Sequence, residues 1–370
     1  MRVDELSFEL PPERIAQYPT SHREEARLLL VPQSGPFGHH KVGELADHLP
    51  EGSLVVLNDT RVLPARLIAM KETGGRVEIF LVRRTGATTV EARGEEREAQ
   101  RWRALGKASK ALKFGVDLRV IPSDDSEAPQ RGALVVRLLG RADDDGLLDV
   151  ALYTLGDLTV DDAIGTFGRM PLPPYIKRDA DKEDVERYQT VFARSPGAIA
   201  APTAGLHLSR AVLGRLAVRN CEVATVTLHV GLGTFQPVTV EDLDDHPMHT
   251  ERFEVSRVTA QAIAKARSEG RKVVAVGTTV IRALESARGP SGQVEAMGGD
   301  TKLLIQPGHR FASADLLLTN FHLPRSTLLA LVCAFGGKER LLEAYKAAID
   351  AEYRFYSYGD AMLLERAENA

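Results

Sequence analysis

Cysteine is nearly absent: two occur in 370 residues, Cys221 and Cys333. Each sits inside an apolar or strand-like segment, which argues against a disulfide framework and a thiolate metal cage. The chain also lacks an excess of one charge. Lys and Arg total 47 against 51 Asp and Glu, a net of −4, so nothing global draws it to nucleic acid or to an anionic membrane, and a polyanionic partner requires a local patch. No stretch reaches the roughly 18 consecutive apolar residues of a membrane helix. The opening "MRVDELSFELPPERIAQYP" puts acids and a double proline where a signal peptide needs an apolar run. A soluble, cytoplasmic protein with no membrane partner is expected.

What is present divides into two styles. From Val55 to about Val150 the chain reads as short β segments, "LVVLND", "ARLIAM", "GRVEIFLV", "TTVEAR", "RWRAL", "DLRVIP", "GALVVRLL" and "GLLDVALY". They are broken by turn chemistry in "KETGG", "RRTGA", "PSDDSEAP" and "GRADDDG", and many short strands close together indicate a small barrel or sandwich. Beyond about Asp161 the pattern becomes strand, polar loop, helix, repeated in "GAIAA" with "LSRAVLGRLAV", "RKVVAVG" with "VIRALESA", and "ADLLLT" with "STLLALVCAFG". Such alternation predicts a layered α/β domain with a largely parallel sheet. The first sixty residues, with a helical "PPERIAQYP" and the strand "SLVVLND", are too few to fold alone. The expected fold is therefore α/β, a layered α/β domain of residues 1–62 and 156–370, with a small β-barrel inserted at 63–155.

Three crossovers leave polar loops at the carboxyl ends of their strands, where open α/β sheets bind ligands. The first carries Thr203, Gly205 and His207, with Ser209 placed to cap the next helix; the second Thr278 and Thr279, then Arg282 and Glu285 at helical spacing; the third Asn320 and His322, with Ser326 as cap. One such loop is no more than a capped helix start. Three of them beside the strand "VATVTLHV", which places Thr225, Thr227 and His229 opposite an apolar face, favour a shared cleft. The following "HVGLGTFQP" is no dinucleotide fingerprint, because Gln236 replaces the third glycine and a proline prevents a helix from opening there. "HPMHTE" brings His246, His249 and Glu251 together, but the histidines are three apart across a proline, so a hydrogen-bonded cluster is preferred to a metal site. "RWRALGKASKALKFG" has two readings, a phosphate-binding patch with Trp102 stacking a base, or a solvated barrel face with a core tryptophan.

Taken end to end, the chain resembles the S-adenosylmethionine:tRNA ribosyltransferase-isomerase family of queuosine biosynthesis. The resemblance is carried by "IAQYP", "NDTRVLPARL", "GRMPLPPYI", "ERYQTVFA", "AAPTAGLH", "TLHVGLGTFQPV", "MHTE", "VGTTVIRALES", "TNFHLPRSTLLALV" and "RFYSYGDAML" in one order. Leu208, Ala330 and the surroundings of His309 depart from the family pattern without removing a group that moves a proton. The resemblance implies an α/β domain with an inserted barrel. It also implies a reaction in which the ribosyl part of S-adenosylmethionine passes to the 7-aminomethyl-7-deazaguanine wobble base of a tRNA, giving epoxyqueuosine with release of adenine and methionine.

The sulfonium acidifies the adjacent C5′ protons, so a positioned base can open the ribose and expel adenine. The neutral tRNA amine then adds, and epoxide closure ejects methionine as a thioether. Such chemistry needs a base, an acid for the departing adenine, and exclusion of water. The expected proton movers are His207, His229 and His322, with Asp59 and Glu285 behind them. Arg61 and Arg282 suit the methionine carboxylate or a phosphate, as does the Thr278–Thr279 helix start. Thr203, Gly231, Gly233, Thr234 and Asn320 are expected around S-adenosylmethionine, with Tyr358 and Asp360 framing a purine edge. No metal is expected, and a monomer is. A methyltransferase and a non-catalytic RNA-binding protein are the rival classes, separated by whether free adenine is released.

Overall fold

Three runs, "LVVLN", "VVAV" and "LLLTN", are buried along their whole length. A strand covered on both sides reads as an unbroken apolar run rather than an alternation. They form the centre of the larger of two units in a computed structural model of the chain, which describes residues 1–122, 132–142, 146–231, 238–368 and 370. The larger unit is Met1–Arg61, Pro173–Asp179 and Glu186–Ala370; the smaller is Val62–Leu172 and Ala180–Val185. The turns read in "PSDDSEAP" and "GRADDDG" lie largely outside the described residues.

In chain order the elements are β1 (Arg27–Val31), β2 (Gly38–Lys41), β3 (Leu54–Asn58), β4 (Thr60–Val62), β5 (Arg66–Met70), β6 (Arg76–Ala92), β7 (Glu95–Ala108), β8 (Asp117–Val120), β9 (Gly132–Arg141), β10 (Leu148–Gly156) and α1 (Val160–Phe167). They continue as α2 (Asp184–Arg187), β11 (Ser195–Ala198), α3 (Arg210–Val218), β12 (Glu222–Leu228), β13 (Glu251–Val255), α4 (Arg257–Ser268), β14 (Val273–Val276) and α5 (Thr278–Ser286). The last are β15 (Met297–Thr301), β16 (Leu316–Asn320), α6 (Thr327–Gly336), α7 (Lys338–Asp350) and β17 (Ala361–Glu365).

The nine-stranded sheet of the larger unit runs β15-β13-β12-β3-β14-β16-β17-β1-β2. Its middle, β12-β3-β14-β16, is parallel, whereas β13, β15, β17 and β2 join antiparallel. The sheet is mixed rather than largely parallel. "GAIAA" is not one of its strands: β11 belongs to a separate two-stranded sheet. "PPERIAQYP" contributes a single 3-10 turn, Pro12–Arg14, because a double proline followed by a third leaves no room for an α-helix.

Alternate residues of the central strands serve two cores. Leu54, Val56, Val273, Ala275 and Leu317 pack with α4, α5, α6 and α7, while Val55, Leu57, Val274, Val276, Leu316 and Leu318 pack with α3 and the 3-10 segment Val42–His48. The unit is thus three-layered, and burial on both faces fixes its register. Ser209 and Ser326 cap α3 and α6 as their positions predict, accepting from the Val212 and Leu329 amides at 3.2 and 3.1 Å.

In the smaller unit β5 to β10 hydrogen-bond in the closed order β10-β7-β6-β5-β8-β9, with β9 returning to β10. Leu67, Val77, Ile79, Leu118, Val136 and Val150 alternate into one cluster, joined by Ile164 and Phe167 of α1. "GRVEIFLV" and "TTVEAR" are one strand, β6, whose pairing to β7 is interrupted by irregularities near Arg83 and Gly86 instead of by a turn. Trp102 is buried in this core and donates to Gln100 Oε1 at 3.1 Å. Arg101 and Arg103 converge on Asp149. The structure therefore selects the core-tryptophan reading, since an indole packed among aliphatic side chains presents no face to a base.

Candidate active site

A cavity of about 630 Å³ opens in the larger unit, and every described residue lining it belongs to that unit. Its floor is the carboxyl end of the central sheet, where β14 passes through Gly277 into α5 and β16 ends at Thr319 and Asn320. Of the residues expected from sequence, Thr203, Thr278, Thr279, Arg282, Asn320 and His322 line it. All three polar loops contribute, as a cleft shared between crossovers requires.

The geometry at α5 follows from one glycine. Gly277 precedes the helix at φ +96°, a conformation other residues rarely hold, and no side chain caps the helix. The first N–H groups of a helix have no intrahelical acceptor, so Thr278 and Thr279 bring donors and the positive dipole end to the cavity wall. One turn on, the Arg282 guanidinium pairs with Glu251, both side chains being almost wholly buried. Its Nε donates to the Leu303 carbonyl at 3.3 Å, while its Nη2 is buried with no hydrogen-bond partner among the described residues. Glu251 Oε1 in turn accepts from the Gly231 amide at 3.2 Å.

The opposite group is Asn320, His207 and His322. Asn320 Nδ2 donates to the Tyr356 carbonyl at 3.0 Å and meets His207 Nε2 at 2.9 Å, whereas Asn320 Oδ1 is buried and unpartnered. His322 Nε2 lies 2.9 Å from Thr319 Oγ1. Burial draws the His322 imidazole down to about 3; burial, then the Arg354 and Arg23 cations, do the same to His207. Both rings are neutral at pH 7. Tyr175, Tyr188 and Tyr356 supply an aromatic wall, Tyr175 and Tyr356 lying 4.6 Å apart, with the Tyr175 hydroxyl bonded to Ser357 and raised by burial to about 12. Apolar walls with a few converging polar groups are the usual form of a small-molecule site.

Comparison with known proteins identifies the family. The family model described as queuosine biosynthesis protein matches residues 3–364. The chain belongs to the queuosine biosynthesis protein family. It is 53% identical over 377 residues to the S-adenosylmethionine:tRNA ribosyltransferase-isomerase of Sorangium cellulosum, covering 98% of each chain, and 47% identical to that of Anaeromyxobacter sp. over the full length of both. The crystal structure of S-adenosylmethionine tRNA ribosyltransferase from Thermotoga maritima superposes with a TM-score of 0.52 at 32% identity, covering 97% of this chain and 99% of that one.

In this member of the queuosine biosynthesis protein family, the other expected site residues that the structure describes do not line the cavity. His207 stands behind Asn320. On β12, Ala224, Val226 and Leu228 face the core as the alternation predicts, and the polar side forms a cluster of its own. There His229 Nδ1 meets Thr60 Oγ1 at 2.7 Å, and Thr227 Oγ1 donates to Asp59 Oδ1 at 2.7 Å. Burial, then the Arg252 cation, lowers the His229 imidazole below its ordinary value.

Glu285 is a correction to the expectation of a proton mover. Its wholly buried carboxylate accepts from the Ala312 and Ser313 amides, Ser313 Oγ, Arg288 and His309, so it anchors the segment after β15. Asp360 is another, its two oxygens taken by the Arg27 and Arg354 amides at 2.9 and 2.8 Å. Tyr358 is buried edge-on to Tyr188, Arg61 is exposed, and Gly231 touches the site only through Glu251. Gly233, Thr234 and Gln236 lie outside the described residues.

"HPMHTE" serves the cavity differently from a metal motif. His246, His249 and Glu251 all line it, but among the described residues the three do not gather as metal ligands; the group that does is His40, Glu44 and His48. Glu251 was legible in one respect: β13 alternates buried and exposed, and the acid falls in phase with buried Phe253 and Val255. An acid on the inward face of a strand needs a partner. Tyr175 and Tyr356 gave no signal beyond their place in "PPYI" and "RFYSYGD".

Proposed function

We propose that the cavity binds S-adenosylmethionine. The chain then transfers and isomerises its ribosyl group onto the 7-aminomethyl-7-deazaguanine wobble base of a tRNA, making epoxyqueuosine and releasing adenine and methionine. The observation that carries this reading is the near-complete, 53% identical match to a protein of that named activity. The cavity is of the size that takes a molecule of this class, and two of its buried atoms that have no partner among the described residues, Arg282 Nη2 and Asn320 Oδ1, are of the kinds that a carboxylate and an N–H would satisfy.

In this scheme Arg282 Nη2 and the first turn of α5 take the methionine carboxylate, leaving the sulfonium and ribose between them and β16. His322 is the cavity-lining imidazole among the expected proton movers. Burial keeps it unprotonated, the form able to accept the C5′ proton; so weak a base relies on the acidity that the sulfonium lends that proton. His246, whose Nδ1 is buried with no partner among the described residues, is the second imidazole that we assign to the reaction. His229 with Thr60 and Asp59 with Thr227 position the backbone entering the cavity from β12.

The closed ring of strands in the smaller unit we assign as a small β-barrel domain inserted into the catalytic one; with α1 packed into its core, the insertion runs from Val62 to Leu172 rather than stopping at 155. The working form is a monomer in the cytoplasm. Incubation of the protein with S-adenosylmethionine and tRNA bearing the aminomethyl base tests the reading. Free adenine, methionine and a matching mass gain on the tRNA are expected; S-adenosylhomocysteine instead of adenine, or tRNA binding without consumption of S-adenosylmethionine, overturns it.

A further inference from the structure

Asn320 is a side chain whose orientation the surrounding bonds determine. Its Nδ2 donates to the Tyr356 carbonyl at 3.0 Å, and a carbonyl can only accept, so the amide nitrogen cannot be exchanged for the oxygen. The second Nδ2 hydrogen goes to His207 Nε2 at 2.9 Å. That nitrogen must therefore be bare, and the ring proton sits on Nδ1. His207 is 4% exposed with Arg354 and Arg23 nearby, surroundings that keep it uncharged and its Nε2 an acceptor. Tyr356, which supplies the other acceptor, is held at φ +71°, a conformation that costs energy in a non-glycine residue and persists where neighbours enforce it. With both amide hydrogens committed, Asn320 Oδ1 is left as an acceptor, 2% exposed for the residue as a whole and without a partner among the described residues, in the wall of the cavity beside Tyr356 and Tyr175.

A buried acceptor without a donor is costly unless a ligand supplies one. The aromatic wall next to it suits a flat heteroaromatic ring, while the anion-binding end of the cavity lies apart in sequence and element, at α5. We propose that Asn320 Oδ1 accepts a hydrogen bond from the exocyclic amine of a purine-type base seated against Tyr356, and that His207 is a positioning residue that holds Asn320 in this orientation without moving a proton itself. The inference rests on the function proposed above and names its base-recognition group. Two sources carry such an amine, the adenine of S-adenosylmethionine and the deazaguanine of the tRNA.

The test compares S-adenosylmethionine with its hypoxanthine analogue, in which a 6-oxo group replaces the amine, by calorimetric binding to the full chain without tRNA. Where the amine is adenine's, the parent prefers it by roughly ten- to a hundredfold. If the amine is adenine's, Asn320→Ala brings that preference near unity. If it is the tRNA base's, Asn320→Ala leaves both small-molecule affinities unchanged and raises KM for the tRNA instead, with kcat less affected. His207→Gln, which still offers Nδ2 an acceptor, retains the parental preference, and His207→Leu loses it; this pair separates positioning from proton transfer, which Gln cannot perform. Folded Asn320→Ala and His207→Leu proteins with the parental preference and the parental KM for tRNA overturn the inference. Adenine release by the parent is the separate measure of the proposed function, so either idea can fail while the other stands.

Discussion

Replacing Glu251 by Gln tests the buried ion pair on which the cavity wall depends. The Arg282 and Glu251 side chains are 9% and 5% exposed, and among the described residues the guanidinium has, apart from Glu251, only the Leu303 carbonyl at 3.3 Å, with Nη2 unpartnered. Gln keeps the shape and one acceptor but removes the charge. Stripping one partner from such a pair costs about 3–5 kcal/mol, against about 0–1 kcal/mol for an exposed pair, because a desolvated cation is left uncompensated. Adding Arg282→Met removes the stranded charge, so the double variant should recover to within about 2 kcal/mol of the parent. Urea unfolding followed by far-ultraviolet circular dichroism reads the larger unit. Fluorescence of Trp102, the one tryptophan, reports the smaller unit and should keep its midpoint. A loss below about 1 kcal/mol in Glu251→Gln, or a double variant as unstable as the single one, would refute the account.

Other outcomes follow from particular contacts. Burial alone would raise the Glu285 carboxyl, but bonds from His309, Ser313 and the Ala312 and Ser313 amides outweigh it and bring it below its ordinary value; its contribution is present above the unfolded carboxyl pKa of about 4.3 and is lost as pH falls through the lower folded value. Glu285→Gln should therefore flatten the acid limb of stability against pH, and an unchanged limb in a thermal melt series would contradict this. Gly197 has φ +147°, and a Cβ there would come within 2.8–3.1 Å of the His229 ring, so Gly197→Ala should cost about 1–3 kcal/mol and lower the melting temperature; a parental melt counts against the packing described. His229→Ala, which removes the bond to Thr60 Oγ1 outside the cavity, should lower the melting temperature and adenine release together; lost adenine release with a parental melt would give the ring a part in the reaction instead. Ser326→Ala removes the cap on the Leu329 amide at 3.1 Å and should cost about 1 kcal/mol in chemical denaturation, with no change in its slope.

Much of the local structure was written in the chain's own periodicity. The unbroken apolar runs of β3, β14 and β16, the alternation of Ala224, Val226 and Leu228, and the serine caps at 209 and 326 depend on neighbours a few residues away. The family strings carried the chemistry as a whole, since many long motifs occurred in one order. Which polar side chain reaches the cavity was not written there. His207 and His322 look alike on paired loops, as do Arg282 and Glu285 on one helix turn, but helix rotation turns Arg282 toward β13 and Glu285 toward the segment around Ser313. Likewise the parallel register of β12 on β3 sets Thr227 over Asp59, while Asn320 at the end of β16 comes between His207 and the cavity. Composition and spacing determined that a polar cleft would exist at the ends of these strands. Only the packing of distant elements decided which atoms face it, because a bond between residues 113 or 168 positions apart has no local signature.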